Sequence, residues 1–233
     1  MSIFQTYSDL IEKYWAYPSF SEWRFFQLLS NTDTSILSVW MSTWWYGEAI
    51  LAQVIDNVQI VATTIDKQWL ESSLSLFDSL WIKNILWKIE DVWEINTYED
   101  ESFDIINARL VLHYLDVQRL RVALSELYRV LKKDWKIFVV VRSEKNIVET
   151  KNKTYNLDQI SKLTTVSYLD DVWEIIVSSQ RFFHSVDSIA SELQDAWFVI
   201  TSQNEYEERL CQDYARNIPS NKLDHLIEIV ACK

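Results

Sequence analysis

Glycine is almost absent from this chain. One glycine, Gly47, stands among 233 residues, beside twelve tryptophans. About 16 glycines are usual at this length, since glycine averages roughly 7% of residues. Glycine supplies the positive φ angles that many turns and helix ends require. The chain therefore either avoids such turns or carries another residue at its glycine positions.

Cysteine and basic residues are also scarce. Cys211 and Cys232 have no metal-type spacing and form no disulfide framework, which favours a reducing compartment. The net charge of −12 argues against a nucleic-acid partner or an anionic membrane surface. No apolar leader follows Met1, and no apolar run is long enough to span a bilayer. We expect a cytoplasmic protein without a membrane or nucleic-acid partner.

Short apolar runs alternate with helical patterns over the first 140 residues. Parallel strands that are covered on both faces have this continuous apolar character. The pattern predicts an α/β fold with a Rossmann-like, doubly wound and mostly parallel sheet. The predicted strands are residues 35–39, 58–65, 82–86, 102–107 and 136–141, and the helices between them are residues 46–55, 68–80 and 117–131.

The C-terminal part of the chain follows another pattern. After a helix over residues 186–196, two strands, 198–203 and 225–232, predict an antiparallel hairpin at the sheet edge. This hairpin completes a seven-stranded sheet within a domain of residues 35–233.

Two further segments flank this sheet. Residues 7–29 predict two helices broken before Pro18, within an N-terminal helical cap of residues 1–34. Residues 144–181 are polar and irregular, with a possible hairpin of 163–168 and 174–179, and we interpret them as an insertion on the substrate side.

Several tryptophans occupy positions where a turn favours glycine. Trp81 and Trp197 each lie between a predicted helix and a strand, and Trp135 follows Asp134 in a third helix-to-strand junction. The positions are specific to turns rather than periodic. They indicate that glycine, not an indole, suits these sites.

Trp40, Trp44 and Trp45 crowd the turn after the first strand. With glycine at these three positions, residues 38–47 read S-V-G-M-S-T-G-G-Y-G, a glycine-rich strand-to-helix loop. The codon UGA means glycine in some bacterial lineages and tryptophan in others. We interpret most of the tryptophans as glycines encoded by UGA. The alternative is a genuinely tryptophan-rich protein whose indoles anchor a core or a binding surface.

Read in this way, the chain is similar to the class I S-adenosylmethionine-dependent methyltransferases. The similarity extends from the glycine loop through the helix-to-strand junction before the terminal hairpin, about residues 35–206. Six motifs carry it in order: residues 36–47, 63–66, 86–91, 102–107, 126–136 and 193–199.

The resemblance implies S-adenosylmethionine as the cofactor, held by a loop that includes Ser38, Trp40, Ser42 and Trp44. Glycine in such a loop allows close approach of the backbone, and the helix N-terminus beyond it faces the methionine carboxylate. Ser38 replaces the usual acidic residue of this motif, and Ser42 replaces its middle glycine. The change at Ser38 weakens the polar contact expected near the methionine amino group.

Four other motif positions complete the implied cofactor site. Asp66, with Lys67 beside it, follows the second strand, where a carboxylate accepts hydrogen bonds from the ribose hydroxyls; its alternative role is a helix N-cap. Ile89 and Glu90 match the loop that frames adenine. Asn107 ends the fourth strand, beneath the sulfonium and the transferring methyl group.

The resemblance identifies no catalytic residue and no metal site. Methyl transfer from a sulfonium is an in-line displacement that depends largely on proximity and orientation. His113, just past the fourth strand, is a candidate general base for an oxygen or nitrogen nucleophile, and the alternative is a packing role. The acceptor is expected to be a small molecule of unknown identity.

Two other functions remain open on the sequence alone. A glycine loop followed by an acidic residue also suits an NAD(P)-dependent oxidoreductase. A non-catalytic, methyltransferase-like binding protein is the other alternative, which the replacement at Ser38 and the lysine at Lys88 make conceivable. The terminal hairpin and the segment 129–135 favour methyl transfer.

Overall fold

A computed structural model describes residues 3–13, 17–30, 35–39, 46–55, 58–67, 70–71, 74, 77–78, 81–147, 153–158, 163–168, 180–211 and 219–233. Trp40, Ser42 and Trp44 of the predicted glycine loop lie outside these residues, as does the predicted strand 174–179. In the described part of the chain, no helix is long and apolar enough to cross a membrane.

Strands and helices alternate along the chain as the apolar pattern predicts. The helices are α1 Ile3–Lys13, α2 Phe20–Leu28, α3 Tyr46–Val54, α4 Val117–Val130 and α5 Val186–Asp195. The strands are β1 Ser35–Ser38, β2 Gln59–Thr64, β3 Ile85–Ile89, β4 Phe103–Arg109, β5 Leu131–Arg142, β6 Lys153–Asp158, β7 Leu163–Tyr168, β8 Gln180–Phe183, β9 Val199–Glu208 and β10 Asp224–Cys232. Two short 3₁₀ helices, Leu112–Tyr114 and Glu144–Ile147, flank the fifth strand.

Seven strands form one sheet in the order β3-β2-β1-β4-β5-β10-β9. The first five pair in parallel, while β10 runs antiparallel to both β5 and β9. The prediction of a seven-stranded, Rossmann-like sheet that ends in an antiparallel hairpin is therefore confirmed.

The two faces of the sheet are both buried, as apolar runs in parallel strands require. Ile36 packs in the core beneath α2 and α3, whereas its neighbour Leu37 packs on the opposite face with α4. Helix α4 buries one stripe of side chains at helical spacing, among them Leu120, Leu124 and Leu127. Asp116 caps this helix by accepting the backbone N–H of Arg119 at 2.9 Å.

Three strand predictions were wrong in their bounds: β9 extends to Glu208 rather than to residue 203, and two other strands begin elsewhere than predicted. The third strand begins at Ile85 rather than at residue 82, because the chain first turns at Trp81 and Asn84 fixes the turn through its side-chain amide. The fifth strand begins at Leu131, directly after α4, instead of at residue 136. Its pairing with β4 shifts between Phe103 and Ile105, so the predicted turn is an irregularity within the strand.

Two of the turn tryptophans adopt a left-handed backbone. Trp81 has φ 58° and Trp197 has φ 73°, and both indoles are largely exposed, at 82% and 78%. At the third junction the positive φ, 65°, belongs to Asp134 and not to Trp135. The left-handed region strains residues with a Cβ atom, so glycine fits the first two positions on backbone grounds alone.

The N-terminal helices break at Pro18 as predicted, and α2 is anchored to the sheet. Ser19 caps α2 by accepting the N–H of Glu22. Phe25 lies 5.5 Å, between ring centroids, from Phe138 of β5. Helix α2 is thus fixed over one face of the sheet.

A second, three-stranded sheet lies within the polar segment 144–181 and just beyond it. Strand β7 confirms the predicted strand at residues 163–168, and it pairs antiparallel with β6 and with β8. The third strand of this sheet is β8, Gln180–Phe183, which the sequence patterns did not predict.

Candidate cofactor site

The carboxyl ends of four parallel strands meet at one edge of the sheet. Ser38 of β1 lies opposite Asn107 of β4, and the N–H of Val39 donates to the Asn107 carbonyl at 3.0 Å. At the ends of β2 and β3, the N–H of Glu90 donates to the Thr64 carbonyl at 3.0 Å. Ligands of open α/β sheets bind in the crevice outside such strand ends.

The side chain of Asn107 has an unsatisfied hydrogen-bond acceptor at this edge. Its side-chain Oδ1 is buried, and it has no hydrogen-bond partner among the described residues. An unsatisfied buried acceptor costs about 1–3 kcal/mol, so the position fits a bound group that completes it. The residue predicted to lie beneath the sulfonium therefore faces an environment that a ligand would satisfy.

Ser38 contacts a carboxylate that the sequence patterns did not reveal. Its hydroxyl donates to Oε1 of Glu48, in the first turn of α3, at 2.8 Å. Burial raises the pKa of Glu48, and the nearby Glu22 adds to this effect. The only signal in the sequence was an acidic residue at the start of the helix after the loop, a position also explained by the helix dipole.

Asp66 lies at the start of the helical segment that follows β2. Its N–H donates to Oγ1 of Thr64 at 3.2 Å, and its carbonyl accepts the N–H of Leu70 at 3.1 Å. This places the carboxylate at the strand end, as both the ribose and the N-cap interpretations require. Lys67 pairs instead with Glu71 at 3.7 Å, and both side chains are mostly exposed.

Glu90 is held by three neighbouring side chains. Its carboxylate accepts hydrogen bonds from the hydroxyls of Thr97 at 2.6 Å and Tyr98 at 2.5 Å, and Lys88 lies 3.7 Å away. Burial and the Glu90 carboxylate raise the pKa of Tyr98, so the phenol stays a donor. The adjacent Ile89 is 49% exposed and presents an apolar surface beside this carboxylate.

His113 occupies the short helix after β4 and is only 1% exposed. Its ring lies 4.4 Å from that of Tyr114, at a tilt of 33°. This burial favours the packing role over the role of general base. A second histidine, His184, is fully buried, and desolvation lowers its pKa to about 4.

A polar network fixes the N-terminal helices beside the site. Arg109, at the end of β4, donates to Ser19 and Ser21 at 2.7 Å each and lies 3.8 Å from Glu208 of β9. Ser19 in turn donates to Glu208 at 2.6 Å. Because these contacts are largely buried, the start of α2 is held beside the end of β4.

Throughout the ranges that the structure describes, no group of three or more His, Cys, Asp and Glu side chains is arranged to hold a metal ion.

Comparison with known proteins agrees with this architecture. Residues 46–139 match the family model described as "Methyltransferase domain". No curated protein matches the chain in sequence. The matched segment begins at α3 and extends into β5, so it contains every described residue of the predicted site except Ser38.

Solved structures share the fold over almost the whole chain. A SAM-dependent methyltransferase from Methanosarcina mazei is 15% identical, with 90% of this chain and 96% of that chain covered and a TM-score of 0.68. An S-adenosylmethionine-dependent methyltransferase from Clostridium acetobutylicum is 13% identical, with 91% of this chain and 89% of that chain covered and a TM-score of 0.63. A third, from Mesorhizobium loti, is 12% identical, with 91% of this chain and 98% of that chain covered and a TM-score of 0.60.

The matched segment lies within the fold that these structures share. Residues 46–139 therefore match a methyltransferase domain, and the seven-stranded sheet has the Rossmann-like fold of these solved structures.

Proposed function

We propose that the protein transfers the methyl group of S-adenosylmethionine to a small-molecule acceptor. The observation that carries the proposal is the meeting of Ser38, Asp66, Glu90 and Asn107 at one sheet edge, with an unpartnered Asn107 oxygen among them. A small acceptor is supported by the net charge of −12, which disfavours a nucleic-acid substrate, and by α2, which is anchored beside the end of β4.

Each residue at this edge has a role in holding the cofactor. Asp66 accepts hydrogen bonds from the ribose hydroxyls, while Ile89 and Glu90 frame the adenine. Asn107 lies beneath the sulfonium. The backbone of the loop that contains Trp40, Ser42 and Trp44 approaches the methionine moiety.

The proposed reaction depends mainly on the positions of the methyl donor and the acceptor. S-adenosylmethionine supplies a methyl group that is already activated by its sulfonium. The chain's own residues hold the donor, exclude water and orient the acceptor, and such positioning provides much of the rate enhancement in displacement reactions. His113 is too buried to be assigned the proton transfer, and we place it in the wall of the site.

We further propose that the natural protein carries glycine at most of the twelve tryptophan positions. The left-handed backbone at Trp81 and Trp197 supports this independently of any resemblance. The codons test it directly: UGA at Trp40, Trp44 and Trp45 supports the proposal, whereas UGG at these positions would overturn it.

Activity is to be measured on the full chain with Trp40→Gly, Trp44→Gly and Trp45→Gly, here termed the glycine-loop chain. We expect S-adenosylhomocysteine to form from S-adenosylmethionine when a matching acceptor is present in a panel of small hydroxyl, amine, thiol and carbon nucleophiles. Binding of S-adenosylhomocysteine with no turnover across the panel would favour the non-catalytic alternative. Binding of NAD in its place would favour the oxidoreductase.

A further inference from the structure

The carboxylate of Glu48 lies where position 38 lacks one. Ser38 is 2% exposed at the end of β1, and its hydroxyl reaches Glu48 Oε1 at 2.8 Å. An aspartate at position 38 would carry its oxygens about one bond further out than the serine hydroxyl. The Glu48 carboxylate therefore occupies the neighbourhood of the missing acidic group, although it comes from a different element.

Glu48 lacks an ion-pair partner among the residues that the structure describes. Within the described ranges, no lysine or arginine forms an ion pair with Glu48. The charge of Arg109 lowers the pKa of Glu48, but its guanidinium is engaged with Ser19, Ser21 and Glu208. A partly buried carboxylate without a counter-charge is costly, and a bound cation relieves that cost.

We propose that Glu48 supplies the negative charge that receives the ammonium group of the cofactor's methionine moiety, in place of an acidic residue at position 38. Ser38 positions the carboxylate through its hydrogen bond. This inference rests on the proposed cofactor site at the ends of β1 and β4.

The electrostatics of the neighbourhood agree with this role. Burial raises the pKa of Glu48, the hydrogen bond from Ser38 opposes the shift, Glu22 of α2 adds to it, and Arg109 of β4 opposes it. A cation bound at the carboxylate favours the ionised form and lowers that pKa. Binding of the ammonium group is therefore coupled to release of a proton when the pH lies near the pKa of the free site.

The test compares two ligands by isothermal titration calorimetry on the glycine-loop chain. S-adenosylhomocysteine carries the amino-acid moiety, whereas 5′-methylthioadenosine lacks it. We expect Glu48→Gln to weaken S-adenosylhomocysteine about tenfold or more, as loss of a charge-assisted hydrogen bond does. The affinity for 5′-methylthioadenosine should change less than about twofold, within the scatter expected where no contact is lost.

Two further variants complete the design. Glu71→Gln is the matched control, because Glu71 is exposed and paired with Lys67. In the Glu48→Gln background, Ser38→Asp restores a carboxylate from the neighbouring strand and should recover most of the affinity for S-adenosylhomocysteine. The proton released on binding, measured in buffers of different ionisation enthalpy, should disappear in Glu48→Gln.

The outcomes separate this inference from the proposed function. Equal weakening of both ligands by Glu48→Gln, or no weakening of either, would overturn the role of Glu48 and leave the cofactor site intact. Absence of rescue by Ser38→Asp, with the fold preserved by circular dichroism, would also count against it. Failure of the unsubstituted glycine-loop chain to bind either ligand would instead overturn the proposed function.

Discussion

The hydroxyl of Tyr98 donates to Oε2 of Glu90 at 2.5 Å and fixes the carboxylate that follows β3. Tyr98 is partly buried, and its ring also packs edge-on against Phe103 with centroids 5.2 Å apart. The loop after β3 is thus tied to β4, so the proposed adenine wall is held by the core of the sheet.

Removing this hydroxyl tests the adenine wall. Tyr98→Phe keeps the ring packing but frees one oxygen of Glu90, and we expect the affinity for S-adenosylhomocysteine to fall about fivefold, the effect of roughly 1 kcal/mol. Titration calorimetry on the glycine-loop chain measures it. Tyr128→Phe is the control, because that ring packs against Phe198 between α4 and the start of β9. An equal loss in both variants would show that the effect is not local.

Asp66→Asn separates the ribose role from the N-cap role. A carboxylate that accepts two ribose hydroxyls should lose at least about tenfold in affinity when it becomes an amide, since hydrogen bonds to charged groups contribute about 1.5–3 kcal/mol. An N-cap role predicts little change, because asparagine caps helices as well as aspartate does. Asp78→Asn, an exposed position in the same helical segment, serves as the control. Unchanged affinity in Asp66→Asn would rule out the ribose contact.

Glycine at the left-handed positions should stabilise the chain. For residues with a Cβ atom, the left-handed region costs roughly 1–2 kcal/mol, and the greater unfolded-state freedom of glycine offsets about half of that. Trp81→Gly and Trp197→Gly are therefore each expected to raise the free energy of unfolding by about 0.5–1 kcal/mol. Urea denaturation measures the change.

The matched control for these substitutions is Trp23→Gly. Trp23 lies inside α2, where glycine is expected to lower the free energy of unfolding by at least about 1 kcal/mol. If all three variants lowered stability alike, the backbone argument for glycine at Trp81 and Trp197 would fail.

Burial of His184 predicts a pH dependence of stability. The folded state lowers the pKa of His184 to about 4 from the 6.5 of an ordinary histidine. Between these pH values the unfolded chain binds a proton at His184 and the folded chain does not. The free energy of unfolding therefore falls as the pH drops from about 6.5 towards 4. The loss reaches roughly 3 kcal/mol.

Denaturation at several pH values measures that slope. His184→Leu should abolish the part of the fall in unfolding free energy that His184 causes between pH about 6.5 and 4. His225→Gln, at a partly exposed position on β10, should leave that fall unchanged. An identical pH profile for His184→Leu and the unsubstituted chain would contradict the assignment.

The sequence predicted the sheet more fully than it predicted the site. Apolar runs such as residues 35–39 are strong signals because both faces of a parallel strand are buried, and the stripe of Leu120, Leu124 and Leu127 marks α4 equally well. The start of β3 was misplaced because Ile82 is apolar yet belongs to the turn after Trp81.

The side-chain contacts within the site could not be predicted from the sequence. Glu48 is ten residues from Ser38 and carries no motif, so their hydrogen bond follows only from how α3 leaves the sheet. The Arg109 network joins residues that are 88 and 90 positions apart in the sequence. Local patterns place residues on elements, but such long-range side-chain contacts depend on the packing of those elements.

We expect these strand ends to bind S-adenosylmethionine once the loop carries glycine. The most direct measurement is the affinity of the glycine-loop chain for S-adenosylhomocysteine and for NAD, beside that of the chain with Trp40, Trp44 and Trp45 intact. We predict binding of S-adenosylhomocysteine by the glycine-loop chain, no binding of NAD, and loss of binding by the chain that keeps the three tryptophans. Preferential binding of NAD would overturn the proposed cofactor, and equal binding of S-adenosylhomocysteine by both chains would overturn the requirement for glycine in the loop.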